Sequence, residues 1–572
     1  MTSTEIFRPA QSAPESGTSI LRAAALLVLI SLAMFLPGFV SLQPMDRDEP
    51  RFAQATKQML ETGDFVAIRF QDEARNKKPV GIYWMQAGVV SLAEKLGVPQ
   101  ARQQIFLYRL PSLLGAIATV LLTYWAALAL VGERAAFMAA LMLASCILLG
   151  VEARLAKTDA VIAATVAAAM GVLARHFLRP ATANPQDSGW RLPAIFWTAM
   201  GIGLLVKGPI TPMVPGLATF SLLIWTRSAQ WLRGLRPIVG VLWCLAIVAP
   251  WFVIIMIATK GAFLTDSVGQ DMLGKVASGQ EAHGAPPGSY LATFLAVGWP
   301  FAPLAALAAP FVWRARREPA VAFLLAWLVP SWLIFEAVPT KLPHYVLPLY
   351  PAIAILAALA MERGALALSN VWSRALLWFI PTIAVVLTLA GAVGWIVFDK
   401  PPGWVWFIIA PLVLWQAWRV GSAIRARTFE KLPMAAALLA FLTFLGAYGG
   451  VMTGPVFAPL AMSPRLVAAR AAALAKTPNC PALPTASAGF SEPSLIFLTE
   501  TNISMTTPEG AAAFLQAGPC RLAFVDARVE PAFRAALGER ADVRVASRVE
   551  GFNLNGGRRL DIGLYVRQGG VP

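Results

Sequence analysis

Apolar residues along this chain come in long unbroken runs. Windows of about 19 residues mark thirteen: 20–42, 105–131, 135–152, 159–176, 193–206, 209–225, 238–258, 290–313, 319–338, 343–361, 375–398, 403–420 and 432–452. Most approach the length of about 20 residues that a helix needs to cross a hydrocarbon core about 30 Å thick. The pattern predicts an all-α polytopic membrane protein of about thirteen transmembrane helices. The first run has no small-residue cleavage pattern and is too long for a signal peptide's apolar region, so it reads as an uncleaved anchor. The runs 135–152 and 193–206 are the shortest, and losing either would invert the orientation of everything after it.

Two segments interrupt this rhythm. Residues 43–104 are densely charged, and within them 51–62 and 82–96 have the spacing of amphipathic helices lying at the membrane surface. Residues 453–572 are polar enough for a separate module. There, strands are predicted at Ser494–Leu498, Arg521–Val525 and Leu560–Val566, with helices at Pro508–Gln516 and Glu530–Leu537, which together suggest a small α/β domain. The chain thus divides into a tail (1–19), a membrane domain (20–452) and a C-terminal domain (453–572).

Charge fixes the orientation. Only 14% of residues are charged, against about 25% in soluble domains, and 47 Lys and Arg against 31 Asp and Glu give +16. In a soluble chain that excess would suggest nucleic acid. Here the basic residues cluster in alternate loops: Arg175, Arg179 and Arg191 in one, Arg227, Arg233 and Arg236 in the next, then Arg314, Arg316 and Arg317, and finally Arg419, Arg425, Arg427 and Lys431. Those loops read as cytoplasmic. The N-terminus is then inside, the loop 43–104 and the C-terminal domain are outside, and no nucleic-acid partner is implied. Cys480 and Cys520 both fall in the outside domain, where an oxidising compartment permits a bridge; two small buried hydrophobes are the alternative.

The outside segments carry the chemistry. Immediately after the first run, M-D-R-D-E-P-R-F-A-Q-A-T-K (45–57) crowds Asp46, Asp48, Glu49 and Arg51 at the membrane surface. Such a cluster also suits a helix start, with Asp48 as N-cap and Pro50 at the first helical position. A second acid, Asp159, sits where the third and fourth runs meet outside; an ionisable residue there either lines a wet cavity or caps the helix that follows. Three outside loops add cations: Lys77 and Lys78 before Pro79, Lys207 before Gly208-Pro209, and Lys341 before Leu342-Pro343-His344-Tyr345. A single lysine beside a span is an ordinary interfacial anchor. Several converging with acids suit transfer of a group from a phosphorylated lipid, cations holding the leaving phosphate while an acid orients or deprotonates the acceptor. No nucleotide-binding loop and no His or Cys set with metal spacing competes.

R-D-E-P-R-F-A-Q-A-T-K-Q-M-L-E-T-G-D-F (47–65), K-K-P-V-G-I-Y-W (77–84), A-R-L-A-K-T-D (153–159), K-G-P (207–209) and K-L-P-H-Y-V-L-P-L-Y-P (341–351) stand in that order along the chain. In them the sequence resembles the GT-C glycosyltransferases of the protein O-mannosyltransferase superfamily, and within it the lipid A aminoarabinose transferase branch. The resemblance implies the GT-C fold in a bacterial inner membrane and a periplasmic C-terminal α/β domain. It also implies a polyprenyl-phosphate-linked sugar donor and a lipid or glycan acceptor among the membrane lipids. It assigns Asp48 as the principal acid with Glu49 beside it and Asp159 as the second-loop acid. Arg51 and Lys78 face the donor phosphate, Tyr345 lies near it, and Lys77, Tyr83, Lys207, Lys341 and His344 complete the substrate-binding set. Some members use a divalent cation, for which Asp48, Glu49 and Asp159 could supply oxygens.

One departure stands out. Relatives commonly have Glu-Lys-Pro where this chain has Lys77-Lys78-Pro79. If that Glu binds a cationic amino sugar, the reversed charge favours a neutral or acidic sugar here. A secondary transporter or lipid flippase is the competing reading, but transporters place ionisable residues near the membrane midplane, whereas these acids lie at span ends.

Overall fold

The computed structural model describes residues 17–568 except 46, 180–188, 268, 270–273, 275–283, 478 and 541. Asp46 therefore lies outside the described residues. All thirteen apolar runs coincide with helix. Among the described residues, nine helices are long and apolar enough to cross a membrane, from Thr18–Phe35 to Leu432–Val451. The others are shorter or broken. The run 135–152 divides into Glu133–Ala144 and Ile147–Glu152, and 290–313 into Ser289–Val297 and Ala302–Arg314 around Gly298-Trp299-Pro300, where proline removes a backbone donor. The run 343–361, itself one of the nine, opens as a 3-10 turn, Pro343–Leu349, before Tyr350–Glu362.

The Asp159–Phe177 helix is buried along almost its whole length, which its Ala-rich sequence permits because small side chains let neighbouring helices approach closely. Pro237–Ala258 instead turns Ile238, Leu242, Trp243 and Ile257 outward, as a helix bordered by lipid tails would.

The long charged loop folds as expected into two helices, Asp48–Thr62 and Gly81–Lys95, joined through a short antiparallel pair, Arg69–Phe70 with Glu73–Ala74. Gly81 is required by packing: a Cβ there would sit 2.8 Å from the backbone carbonyl of Leu205, so the second helix lies directly on the helix that ends in Lys207. Asp48 is the first residue of its helix and not its N-cap; Arg47 holds that position and makes no side-chain capping bond. Pro50 is consequently the third helical residue, still among the first-turn positions whose N–H has no intrahelical partner.

A five-stranded mixed sheet follows the last membrane helix. Ser504–Thr506, Thr485–Ala488 and Arg521–Asp526 run parallel, and Arg559–Arg567 and Val543–Phe552 extend the sheet antiparallel. Helices form at Pro508–Gln516 and Glu530–Leu537. Ser494–Leu498, expected as a strand, is instead the end of a helix, Pro493–Leu498. A short apolar run does not reveal its own period, and Pro493 at the first helical position favours a helix start. Cys480 and Cys520 are joined in a disulfide with Cα atoms 5.3 Å apart.

That helix docks the sheet on the first loop. Lys57 Nζ donates to the Phe497 carbonyl at 3.0 Å, Gln54 donates to Thr501 Oγ1 at 2.8 Å, and the Tyr108 and Phe497 rings meet edge to face at 5.3 Å. Burial holds the Lys57 ammonium below the usual lysine range.

Candidate active site

Two neighbouring acids of the first loop are placed in opposite ways. Glu49 is fully buried and takes the Arg109 guanidinium on both oxygens, at 2.6 and 3.0 Å. It also accepts the Met45 N–H at 2.6 Å and the Ala156 N–H at 3.0 Å. With its acceptor sites filled by donors on three segments, Glu49, expected beside Asp48 as a catalytic acid, is engaged in holding those segments together. Asp48, one residue before it, keeps 42% of its side chain exposed and faces Arg51 Nη1 across 3.8 Å. The helix start thus buries one carboxylate and presents the other.

A second charged cluster converges on Asp159. Lys207 ion-pairs with Asp159 Oδ1, and its ammonium lies 5.0 Å from the Tyr345 ring. Gly208 makes this reach possible: its φ of +68°, rare for any side-chain-bearing residue, ends the Arg191–Lys207 helix at the lysine and turns the chain into Ile210–Thr226. Asp159 does not cap its helix; its carboxylate is directed at Lys207 in the first turn of Asp159–Phe177. His344 stands between two acids, Nε2 3.9 Å from Asp159 Oδ2 and Nδ1 3.7 Å from Glu152 Oε1, with its ring edge to face on Tyr345 at 5.1 Å. Lys157 Nζ lies 3.3 Å from the same Glu152 oxygen. The structure therefore brings Asp159, Lys207, His344 and Tyr345 together from three loops.

Other expected residues fare differently. Lys341 does not join the cation set: its Nζ donates to the carbonyls of Val338 at 2.8 Å and Ala285 at 2.9 Å, closing the end of the Pro319–Ala337 helix. Tyr83 is fully buried with its ring 5.4 Å from Phe52, so it supports the Asp48 helix from beneath. Lys77 is exposed and Lys78 half-buried; Asn76 beside them donates to Asp266 Oδ2 at 3.0 Å. Sequence reasoning passed over Glu152, Lys157 and Arg109. All three are charged residues within or beside apolar runs, a signal that by itself marks candidates.

Among the described residues, no group of three or more His, Cys, Asp or Glu is arranged to hold a metal ion. The three acids proposed as cation ligands do not fit that role together, because Glu49 is saturated by Arg109 and two backbone donors while Asp159 is paired with Lys207. A cation would have to displace existing positive charge from both.

Residues 77–254 match the family model described as dolichyl-phosphate-mannose-protein mannosyltransferase. An undecaprenyl phosphate-alpha-4-amino-4-deoxy-L-arabinose arabinosyl transferase of Erwinia tasmaniensis is 30% identical over 315 residues, 54% of this chain and 54% of that protein. A relative of the same name from Pseudomonas fluorescens is 26% identical over 402 residues, 66% of this chain and 70% of its own length. The chain thus spans about half the length of the first of these relatives. The crystal structure of ArnT from Cupriavidus metallidurans bound to undecaprenyl phosphate superimposes with a TM-score of 0.72 at 18% identity, covering 96% of this chain and 98% of that one. At that identity the likeness establishes the fold, which is the GT-C fold of that enzyme. The resemblance read from the motifs is borne out.

Proposed function

We propose that this protein is an inner-membrane glycosyltransferase that moves one sugar from a polyprenyl-phosphate donor to a lipid A or lipopolysaccharide-type acceptor, or to another periplasmic glycan. The observation that carries this reading is the contrast between Asp48 and Glu49: a half-exposed acid beside Arg51, held in place by a neighbour that is itself locked. In the proposed reaction an acceptor oxygen attacks the anomeric carbon as the bond from that carbon to the donor phosphate breaks, inverting the configuration. The phosphate leaves with the bonding electrons. Asp48 orients the acceptor and takes its proton where it is a hydroxyl; an acceptor that is already an ionised phosphate needs orientation only. Arg51 and Lys78 neutralise the departing phosphate. The Asp159–Lys207 pair, with His344 and Tyr345, forms the opposite side of the site. No step is routed through a metal.

The same reading gives thirteen membrane crossings with the N-terminus in the cytoplasm and residues 453–572 in the periplasm, supported by the arginine excess of alternate loops. The test is Asp48→Asn in membranes supplied with donor and acceptor. Transfer is expected to fall by a factor of about a hundred or more, the usual size of a general acid-base contribution. A variant as active as the native protein removes the assignment.

A further inference from the structure

An apolar groove of about 1030 Å³, counted with its opening, runs between the Gly17–Phe35 helix and the antiparallel pair Trp404–Arg425 and Leu432–Gly446. Ile30, Met34, Leu438 and Phe441 are among its walls, and Arg419 and Lys431, both exposed, stand at one end. That end lies at the 426–431 connection of the pair. The other end of the pair, where the Gly403 N–H donates to the Gly450 carbonyl, faces the C-terminal sheet. The groove therefore opens toward the leaflet remote from Asp48 and the sheet.

Two features distinguish this groove from an ordinary lipid-facing seam. First, from Lys431 to Phe441 it follows ten residues of helix, about 15 Å at 1.5 Å per residue. That is half of a hydrocarbon core about 30 Å thick, the depth of one acyl chain. Second, the cations stand together at the mouth, with the Arg419 guanidinium 4.9 Å from the Trp415 ring. Neighbouring Glu430 lines a different cavity, beside Arg134.

We propose that this groove is a binding site for one anionic glycerophospholipid of phosphatidylglycerol type. Its phosphate lies between Arg419 and Lys431, and one acyl chain lies along the apolar walls. Basic pockets between membrane helices recognise anionic head groups in this manner. The site is separate from the sugar-transfer chemistry and does not depend on it.

The test is native mass spectrometry of the full-length protein after reconstitution in vesicles holding equal amounts of dioleoyl phosphatidylglycerol and dioleoyl phosphatidylethanolamine. Phosphatidylglycerol should be retained at least about tenfold over phosphatidylethanolamine, as two interfacial cations imply. Arg419→Gln with Lys431→Gln should bring retention of the two lipids level, while Arg419→Lys with Lys431→Arg should keep the preference. Equal retention by the native protein, a preference that survives the double glutamine variant, or displacement of the lipid by equimolar polyprenyl monophosphate would each overturn the proposal.

Discussion

Glu49 and Arg109, sixty positions apart, form a bidentate ion pair in which neither side chain is exposed. Arg109 also donates to the carbonyls of Phe39, Leu42 and Gln43. Its partner Glu49 accepts the N–H of Met45 and of Ala156. One pair therefore ties the exit of the first membrane helix, the start of the Asp48 helix, and the loop leading to Asp159. Asp48 and Asp159 lie on two of the segments that this pair joins.

Glu49→Gln leaves the Arg109 charge buried without its counter-ion, and a half-broken buried pair costs about 3–5 kcal/mol. Thermal unfolding of the detergent-solubilised protein should show that loss, with a similar loss for Arg109→Met. Glu49→Leu combined with Arg109→Met should recover part of the stability, because no charge is then stranded, but should not restore transfer, because Ala156 and Met45 lose their acceptor. If the single variants unfold at the native temperature, the pair does not organise the site.

Lys77 provides a test of sugar specificity. It is exposed beside Lys78, and a cation there disfavours a cationic amino sugar. Lys77→Glu should raise kcat/KM for an amino-sugar donor relative to a neutral-sugar donor by about tenfold, or 1.4 kcal/mol. An unchanged ratio would show that this position does not meet the sugar.

The membrane domain was legible because hydrophobic length is a direct physical requirement of crossing a bilayer, and even the two shortest runs are helical. A cluster of residue types was legible too: Asp159, Lys207, His344 and Tyr345, picked out on separate loops, lie against one another. What the sequence could not distinguish was an ion available to substrate from one already engaged. Lys341-Leu342-Pro343 and Lys207-Gly208-Pro209 look alike on paper, yet Lys207 reaches Asp159 while Lys341 satisfies the carbonyls of Val338 and Ala285. That difference lies in the path of the neighbouring chain, which no local pattern encodes. Glu49 and Asp48 differ in the same way, through a partner sixty residues distant. In the C-terminal sheet the Thr485–Ala488 strand escaped notice because Thr-Ala-Ser-Ala lacks the branched and aromatic residues that mark strands.

The Cys480–Cys520 bridge closes a loop across 40 positions. Loop-closure entropy for that length corresponds to about 4 kcal/mol. Cys480→Ala with Cys520→Ala should destabilise the sheet by up to that amount, and reductant should do the same to the native protein without affecting the double variant. The docked helix carries Phe497, the acceptor for Lys57, so loosening the sheet should also increase proteolysis of the Asp48–Thr62 helix. Equal protease resistance with and without reductant would show that the bridge contributes little.

Glu530 makes the stability of the sheet acid-sensitive in a defined window. Its carboxylate accepts from Arg548 at 2.8 Å, from Tyr565, and from Arg534 at 2.6 Å. The Arg548 hydrogen bond is the largest of the causes that lower its pKa to about 2. A group whose folded pKa is depressed stabilises the fold fully above its unfolded pKa, about 4.3 for Glu. That contribution is lost as pH falls through the folded value. The sheet should therefore weaken progressively between about pH 4.3 and about 2. Asp542, lowered chiefly by its hydrogen bond with Arg567, adds its own share, so the native slope has more than one source. Glu530→Gln should remove Glu530's part of that slope and leave stability near neutral pH lower than native, because Arg548 and Arg534 lose their charged partner. Hydrogen exchange of the Arg559–Arg567 amides, corrected for intrinsic rates, reads both effects, and a slope identical in the two proteins would show that Glu530 is not the group responsible.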